Sequence, residues 1–259
     1  MKFDYEEFTS RNWLFIDEYL QCKIRNKIIL FIGCGLSSYA CELAVRLGFQ
    51  NFIFIDGDKV DLSNLNRQTY SISDIDKFKV LSLRKRMRAI NPKVTIDIVK
   101  NYIYDSSQLI NIINKADYVI NTVDMGSIYS SIIELAIKNN KVIFMPFNVG
   151  FGSLIIACNK FDHKVSDLIS ASHDSEDDLS FLFKLIDKYK SINIPNYIIN
   201  NLSKIKLETN HKNFNSQNCI ASFFSASLLM TMIINLIKDE NIKYYPELNY
   251  IDLIKLISL

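Results

Sequence analysis

At residues 27–35 the sequence reads KIILFIGCG, an apolar run that follows Lys27 and ends on two closely spaced glycines. A run of this length without polar alternation is typical of a strand buried on both faces of a parallel sheet. A helical pattern follows the glycines, and a second apolar run at residues 51–55 ends at Asp56. Strand, glycine turn, helix and strand within about thirty residues predict a right-handed βαβ unit.

The alternation of strand and helix continues along the chain. Further segments are predicted as strands at 94–99, 117–121 and 141–145 and as helices at 78–90, 107–114 and 130–138. Such an order predicts a Rossmann-like, doubly wound and mostly parallel sheet with flanking helices. Pro146 is expected to end the last of these strands.

The regions on either side of this alternating pattern differ from it in composition and predicted structure. Residues 1–26 are predicted as an N-terminal helical segment before a core at residues 27–158. Residues 159–218 are polar, with one clear amphipathic helix at 179–190, which favours a surface crossover or a lid. Residues 219–259 are expected to pack back on the core as an apolar helix at 219–238 and a pair of strands near 244–257.

Composition excludes several classes of protein. The 259 residues carry a net charge of only +2, without the basic excess typical of nucleic-acid binding. We expect no signal peptide and no membrane span, because the N-terminus is acidic and no run of roughly eighteen uncharged apolar residues stands out. Five scattered cysteines argue against a disulfide framework and favour the cytoplasm, and neither the cysteines nor the three histidines have zinc-site spacing.

The ends of the first two predicted strands carry the first candidate site residues. Gly33 and Gly35 allow a tight turn and a close approach of backbone to phosphate, which the following helix N-terminus favours. Asp56, at the end of the second strand, stands where an acidic side chain hydrogen-bonds a ribose. On these residues alone, a dinucleotide-binding dehydrogenase and an ATP-binding enzyme are equally good hypotheses.

The stretch after Asp56 separates these two hypotheses. Residues 56–68 read DGDKVDLSNLNRQ, and Lys79 and the INP of residues 90–92 follow. This order resembles the ThiF/MoeB/HesA family, the bacterial relatives of ubiquitin-activating enzymes. Their pattern is a strand ending in D-x-D, then S-N-L-x-R-Q, a lysine about a dozen residues later, and N-P after the helix. The resemblance extends over most of residues 8–157 and again over 219–240.

The resemblance implies a use for particular residues of this chain. Residues 27–158 become an ATP-binding core, and the implied nucleotide-binding residues are Gly33, Gly35, Asp56, Asp58, Asn64, Arg67, Gln68 and Lys79. Asp124 falls where the family binds Mg²⁺, so the implied catalytic group is Arg67, Lys79, Asp124 and Arg11. Arg11, in Ser10-Arg11-Asn12, would act in trans across a homodimer in which residues 1–26 form the dimer arm.

Departures from the family pattern leave the substrate open. Ser38 and Leu36 stand where the family has glycines, and no arginine occurs near Tyr129. Cys34 in the glycine turn is expected to have a lowered pKa at a helix N-terminus. Cys219 opens an apolar helix, which favours a buried structural thiol over a thioester or persulfide carrier.

Four hypotheses of function follow. The first is an ATP- and Mg²⁺-dependent adenylyltransferase acting on the C-terminal carboxylate of a small sulfur-carrier or ubiquitin-like protein. The second keeps this chemistry but acts on a ribosomally made peptide. The third is a catalytically silent nucleotide-binding partner subunit. The fourth, an NAD-dependent dehydrogenase, is disfavoured by S-N-L-x-R-Q and Lys79.

Overall fold

The computed structural model describes residues 2–175, 178–188, 195–200 and 217–258. The helices in chain order are α1 Tyr5–Thr9, α2 Glu18–Asn26, α3 Ser38–Leu47, α4 Lys79–Ile90, α5 Ile110–Lys115, α6 Ser127–Lys138, α7 His163–His173, α8 Asp178–Lys188, α9 Cys219–Ile237 and α10 Leu253–Ile257. The strands are β1 Ile28–Ile32, β2 Asn51–Ile55, β3 Thr95–Val99, β4 Tyr118–Asn121, β5 Val142–Val149, β6 Gly152–Cys158 and β7 Asn249–Asp252. Short 3₁₀ turns cover Ser10–Asn12, Leu62–Asn64, Ile72–Asp74 and Ser106–Leu109.

The strands form one sheet in the order β3-β2-β1-β4-β5-β6-β7. β3, β2, β1, β4 and β5 are parallel, and β6 and β7 add antiparallel pairings at one side. Ile32 at the end of β1 pairs with Ile55 of β2 and with Asn121 of β4. The carboxyl ends of these three strands therefore meet at one edge, and the predicted mostly parallel Rossmann-like fold is confirmed.

Both faces of the sheet are covered, which explains the continuous apolar runs. Alternate residues of β1, such as Phe31, pack with α2, α3, α4 and α9 on one face. The others, such as Leu30, pack with α5, α6, α7 and α8 on the opposite face. All residues of β1 after Ile28 are buried, because each side of the strand faces a helical layer.

β5 departs from the predicted boundary. It continues through Pro146 to Val149 and pairs with β6, a strand that the sequence prediction missed. Pairing with β4 ends at Phe144, so Pro146 lies where β5 has a neighbouring strand on one side only. Proline is tolerated at such a position because no second ladder needs its missing N–H.

The C-terminal prediction of a strand pair is wrong. Only β7 forms there, and the chain then enters α10, because the Asp252 side chain accepts a hydrogen bond from the Lys255 amide at 2.9 Å and caps the helix. The crossover also holds an additional helix, α7, before α8. Residues 189–190 of the predicted helix and residues 201–216 of the predicted lid lie outside the described residues.

α9 supplies much of the core on the α3 side of the sheet. By length and composition, Cys219–Ile237 would also suffice to cross a membrane, and half of its residues are buried inside the fold. The prediction that no such uncharged apolar run occurs is therefore wrong. A core helix and a membrane span share these features, so the expected absence of a span itself stays a prediction.

Candidate nucleotide site

A cavity of about 450 Å³ opens where β1, β2 and β4 end. The predicted site residues that line it are Gly33, Gly35, Asp56, Asp58, Asn64, Arg67, Gln68, Lys79 and Asp124. Arg11 is not among its lining residues. The fold therefore brings together residues spread over some ninety positions of sequence, as expected for a site at strand ends of an open α/β sheet.

The glycine turn after β1 has no room for a side chain. Gly33 has φ +87°, and a Cβ there would lie 2.7 Å from both the carbonyl carbon and the oxygen of Thr122. Its own carbonyl accepts hydrogen bonds from the hydroxyls of Ser37 at 2.6 Å and Thr122 at 2.9 Å. A Cβ on Gly35 would lie 3.1 Å from the Gln68 amide nitrogen. The turn is thus held tightly against the neighbouring strand end and leaves its open side to the cavity.

Asp56 is buried at the end of β2 and organises two loops at once. One carboxylate oxygen accepts the amide hydrogen of Cys34 at 2.7 Å, and the other accepts that of Asp58 at 2.7 Å. Burial raises the pKa of Asp56, against the opposing charge of Lys79 and these two amides. The Cys34 amide is therefore hydrogen-bonded to Asp56 and does not point to a phosphate. Burial also raises the pKa of the Cys34 thiol well above its ordinary value, so the predicted lowering is wrong.

Lys79 begins α4 and is only 7% exposed. Its ammonium lies 2.7 Å from one carboxylate oxygen of Asp58, and the hydroxyl of Tyr102 donates to the other at 2.7 Å. Partial burial raises the pKa of Asp58, but the hydrogen bonds and charge of Lys79, together with Tyr102, outweigh it and hold that pKa below its ordinary value. Asp58 is therefore the ion-pair partner of Lys79.

Arg67 is half-buried, and burial lowers its pKa. Its guanidinium donates to the Ser63 carbonyl at 2.7 Å, to the Asn66 side chain at 2.9 Å and to the Gln217 side chain at 3.2 Å. Asn64 accepts a hydrogen bond from the Asp61 amide at 3.1 Å and so shapes the same loop. The loop that precedes α4 thus fixes the second cation at the cavity.

Ser38, one of the two departures from glycine, has a structural use. Its buried hydroxyl accepts the Thr69 amide hydrogen at 3.1 Å, and the Tyr70 hydroxyl donates to the Cys34 carbonyl at 2.6 Å. These bonds join the glycine turn to the segment that carries Arg67. The other departure, Leu36, lines the cavity.

Asp124 and Arg11 are both exposed, in different surroundings. Asp124 lies in the loop between β4 and α6, at the cavity, where it is accessible to a ligand. Among the described residues, no group of three or more His, Cys, Asp or Glu side chains could hold a metal by itself. Arg11 lies in the 3₁₀ turn before a strongly exposed apolar trio, Trp13, Leu14 and Phe15.

Sequence reasoning missed part of the cavity wall. The additional lining residues are Leu36, Ser63, Asn101, Tyr102, Ile103, Asn121, Thr122, Val123, Tyr129, Pro146, Phe147 and Gln217, with Ile55 and Gly57 between the predicted ones. Position after β3 and β4 could have indicated Asn101 and Thr122. Nothing in the sequence could have indicated Gln217, because its place depends on the return of the chain at α9.

Cys219 is exposed at the start of α9, so the prediction of a buried thiol is wrong there. It precedes the buried positions of the helix, and only residues from Ala221 onward turn into the core. Cys158, by contrast, is buried in β6.

Comparison with known proteins agrees with this arrangement. The sequence pattern of the ThiF family matches residues 9–256. The chain belongs to the ThiF family. The fold recurs in solved structures at low identity: the PaaA structure has a TM-score of 0.69 at 16% identity, and the match covers 98% of this chain and 81% of PaaA. Escherichia coli MccB with ATP has a TM-score of 0.63 at 16% identity, with 97% and 72% coverage.

Curated relatives align over a shorter stretch. The tRNA threonylcarbamoyladenosine dehydratase of Haemophilus influenzae is 31% identical over 122 residues, 46% of this chain and 46% of that protein. Molybdopterin-synthase adenylyltransferase of Escherichia coli is 33% identical over 103 residues, 39% and 41% of the two chains. Ubiquitin-like modifier-activating enzyme 5 of Bombyx mori is 30% identical over 145 residues, 55% and 33%. Each alignment spans less than half of the relative's length.

Proposed function

We propose that this ThiF-family chain is an ATP-dependent adenylyltransferase that activates a carboxylate as an acyl-adenylate and releases pyrophosphate. The observation that carries the proposal is the convergence, on one cavity, of a side-chain-free turn at Gly33, a buried carboxylate at Asp56 and two cations at Arg67 and Lys79. This set matches the parts of a nucleoside triphosphate: phosphates at the turn and the cations, and ribose hydroxyls at the carboxylate.

The residues present fit such a ligand. Asp56 accepts one amide on each oxygen, and a carboxylate has lone pairs left for ribose hydroxyl donors. The side-chain oxygens of Gln68 and Asn121 are buried at the cavity and have no hydrogen-bond partner within the described part of the chain, so a ligand or water can donate to them. Asp124 would hold Mg²⁺ together with phosphate oxygens, because this ion takes few protein carboxylates and neutralises phosphate charge.

The reaction requires positioning of the substrates and stabilisation of charge, and no covalent intermediate with the protein. A carboxylate oxygen of the substrate attacks the α-phosphorus, the bond from that phosphorus to the pyrophosphate oxygen breaks, and pyrophosphate leaves. Lys79 and Arg67 stabilise the negative charge that develops on the leaving group. Removal of one stabilising donor of this kind costs about 10²–10³ in rate.

We propose a small carrier protein or a peptide as the source of the carboxylate. In support, the relatives include enzymes named for activating a ubiquitin-like modifier and for adenylating molybdopterin synthase, and MccB has been solved with the peptide MccA. We further propose a homodimer in which Arg11 of one subunit reaches into the nucleotide cavity of the other. The exposed Trp13, Leu14 and Phe15 beside it are apolar surface that a second copy would bury.

The test is a calorimetric titration of the purified chain with MgATP, with NAD⁺ as the competing ligand. Variants Lys79→Met and Asp124→Ala are compared with Lys85→Met, a lysine exposed on the same helix. We expect saturable MgATP binding that both site variants weaken about tenfold or more and that Lys85→Met leaves unchanged. Absence of MgATP binding at millimolar concentration contradicts adenylation, and binding of NAD⁺ instead favours a dehydrogenase. Sedimentation of the same samples reports whether the chain is a dimer.

A further inference from the structure

We propose that Tyr102 is a positioning residue of the nucleotide site: its hydroxyl fixes the carboxylate of Asp58, which in turn holds the Lys79 ammonium at the cavity. The inference rests on the proposed function only in assigning Lys79 to the triphosphate. The effect of Tyr102 passes to Lys79 through the carboxylate of Asp58, to which both side chains are hydrogen-bonded.

The Tyr102 ring packs against the backbone of Gly57. A Cβ on Gly57 would lie 2.7 Å from the Tyr102 amide nitrogen and 2.8 Å from its Cγ atom. The ring therefore rests directly on the loop between Asp56 and Asp58. Glycine at position 57 is a steric requirement for that contact, since any side chain there would push Tyr102 away.

The carboxylate of Asp58 needs such a support. Its side chain is 46% exposed, and the terminal torsion of an aspartate has broad, weakly defined minima. Tyr102 binds one oxygen at 2.7 Å, which leaves the second oxygen oriented to Lys79 at 2.7 Å. The buried ammonium of Lys79 in turn needs a hydrogen-bonded anion, because an unpaired buried charge is costly.

Packing alone does not hold Tyr102 in place. The residue is 57% exposed, and it also lines a second cavity of about 510 Å³, together with Phe78, Tyr104 and Gln108 among others. Tyr102 is part of the wall of both cavities. The hydrogen bond to Asp58 thus selects one ring position where space exists for others.

The first experiment measures the reactivity of Lys79 by competitive labelling with an amine-reactive reagent and mass spectrometry, in the ligand-free full-length chain. Tyr102→Phe keeps the ring and removes the hydroxyl, and we expect Lys79 to label about 2- to 10-fold faster. Tyr104→Phe is the matched control, since Tyr104 is 81% exposed and does not line the nucleotide cavity, and should leave the rate unchanged. Equal rates in wild type and Tyr102→Phe, with unchanged unfolding curves, overturn the inference.

The second experiment compares affinities for MgATP and AMP. Tyr102→Phe should weaken MgATP binding about 2- to 10-fold and leave AMP binding unchanged, because Lys79 serves the outer phosphates. Gly57→Ala should act through the same contact, so the double variant should label Lys79 no faster than the single ones. Additive effects in the double variant contradict a shared route. If wild type binds no MgATP while the labelling contrast holds, the proposed function fails and the Tyr102–Asp58–Lys79 coupling stands.

Discussion

The two halves of the sheet meet the cavity with different chemistry. Asp56 directly follows β2 and Asn121 is the last residue of β4, and the segment after β2 carries Arg67 and leads to Lys79 at the start of α4. β5 instead continues past the edge and presents Pro146 and Phe147 as an apolar wall. The parallel half therefore provides charged and hydrogen-bonding groups to a ligand, and the hairpin half provides an apolar wall that bounds the cavity.

This difference has a structural cause. β1, β2 and β4 are parallel and stop at a common edge, so their successors are loops and helix N-termini. β5 turns back into β6 through Gly150 and forms a hairpin that packs on α9. A hairpin buried on both faces needs apolar side chains. We therefore expect changes in the hairpin half to act on stability and changes in the parallel half to act on ligand binding.

Phe147→Ala gives the largest expected effect in the hairpin half. Phe147 is 4% exposed, and its ring centroid lies 5.6 Å from that of Phe181. Truncation of a buried phenylalanine should lower the free energy of unfolding by about 3–5 kcal/mol. Urea denaturation measures this loss, and MgATP affinity should change far less than it does in Lys79→Met.

Phe161→Ala serves as the control for this prediction. Phe161 follows β6 and is 53% exposed, so its truncation should alter stability by less than about 0.5 kcal/mol. If Phe147→Ala abolished nucleotide binding at a temperature where the fold persists, the proposed division between the two halves would be wrong.

Gly33→Ala tests the parallel half at its narrowest point. Both Gly33 and Gly126 have positive φ, but a Cβ on Gly33 overlaps the Thr122 backbone while a Cβ on Gly126 meets nothing within 4 Å. Backbone strain of this kind costs about 1–3 kcal/mol at either glycine. Gly33→Ala should therefore lower the free energy of unfolding more than Gly126→Ala does, and it alone should displace the phosphate turn. Denaturation and MgATP titrations of both variants measure the two effects. Equal losses of unfolding free energy in the two variants would mean that the Thr122 backbone moves away from the new Cβ at little cost.

The parallel half was also the part that sequence could predict. Local signals determine it: an apolar run, a glycine turn and Asp56 at the next strand end specify both the fold and the ligand edge. The hairpin half depends on long-range pairing. From the sequence alone, Pro146 predicts the end of a strand. β5 continues through it because β4 stops pairing at Phe144 and no strand on that side needs the N–H that proline lacks.

The same contrast holds for individual side chains. Asp58 could be assigned to the site but not to a role, since its two partners, Lys79 and Tyr102, are 21 and 44 positions away in sequence. The apolar helix predicts a buried Cys219, yet Cys219 and Ile220, the first two residues of α9, are exposed. Periodicity identifies the helix, and tertiary packing decides which of its residues are covered.

Asp58→Asn gives the smallest expected effect and distinguishes charge from shape in the parallel half. The folded-state pKa of Asp58 lies below its unfolded value, so its ionised form stabilises the fold. That contribution is complete above the unfolded pKa of about 3.9 and is lost as pH falls through the lower, folded value. Because the carboxylate is 46% exposed, solvent screening keeps the contribution below about 1 kcal/mol. Urea denaturation at several pH values should show wild type more stable than Asp58→Asn at neutral pH and the two converging in acid. Asp97→Asn, exposed on β3, is the control, and a difference that persisted unchanged into acid would mean that Asp58 stabilises the loop through shape rather than charge.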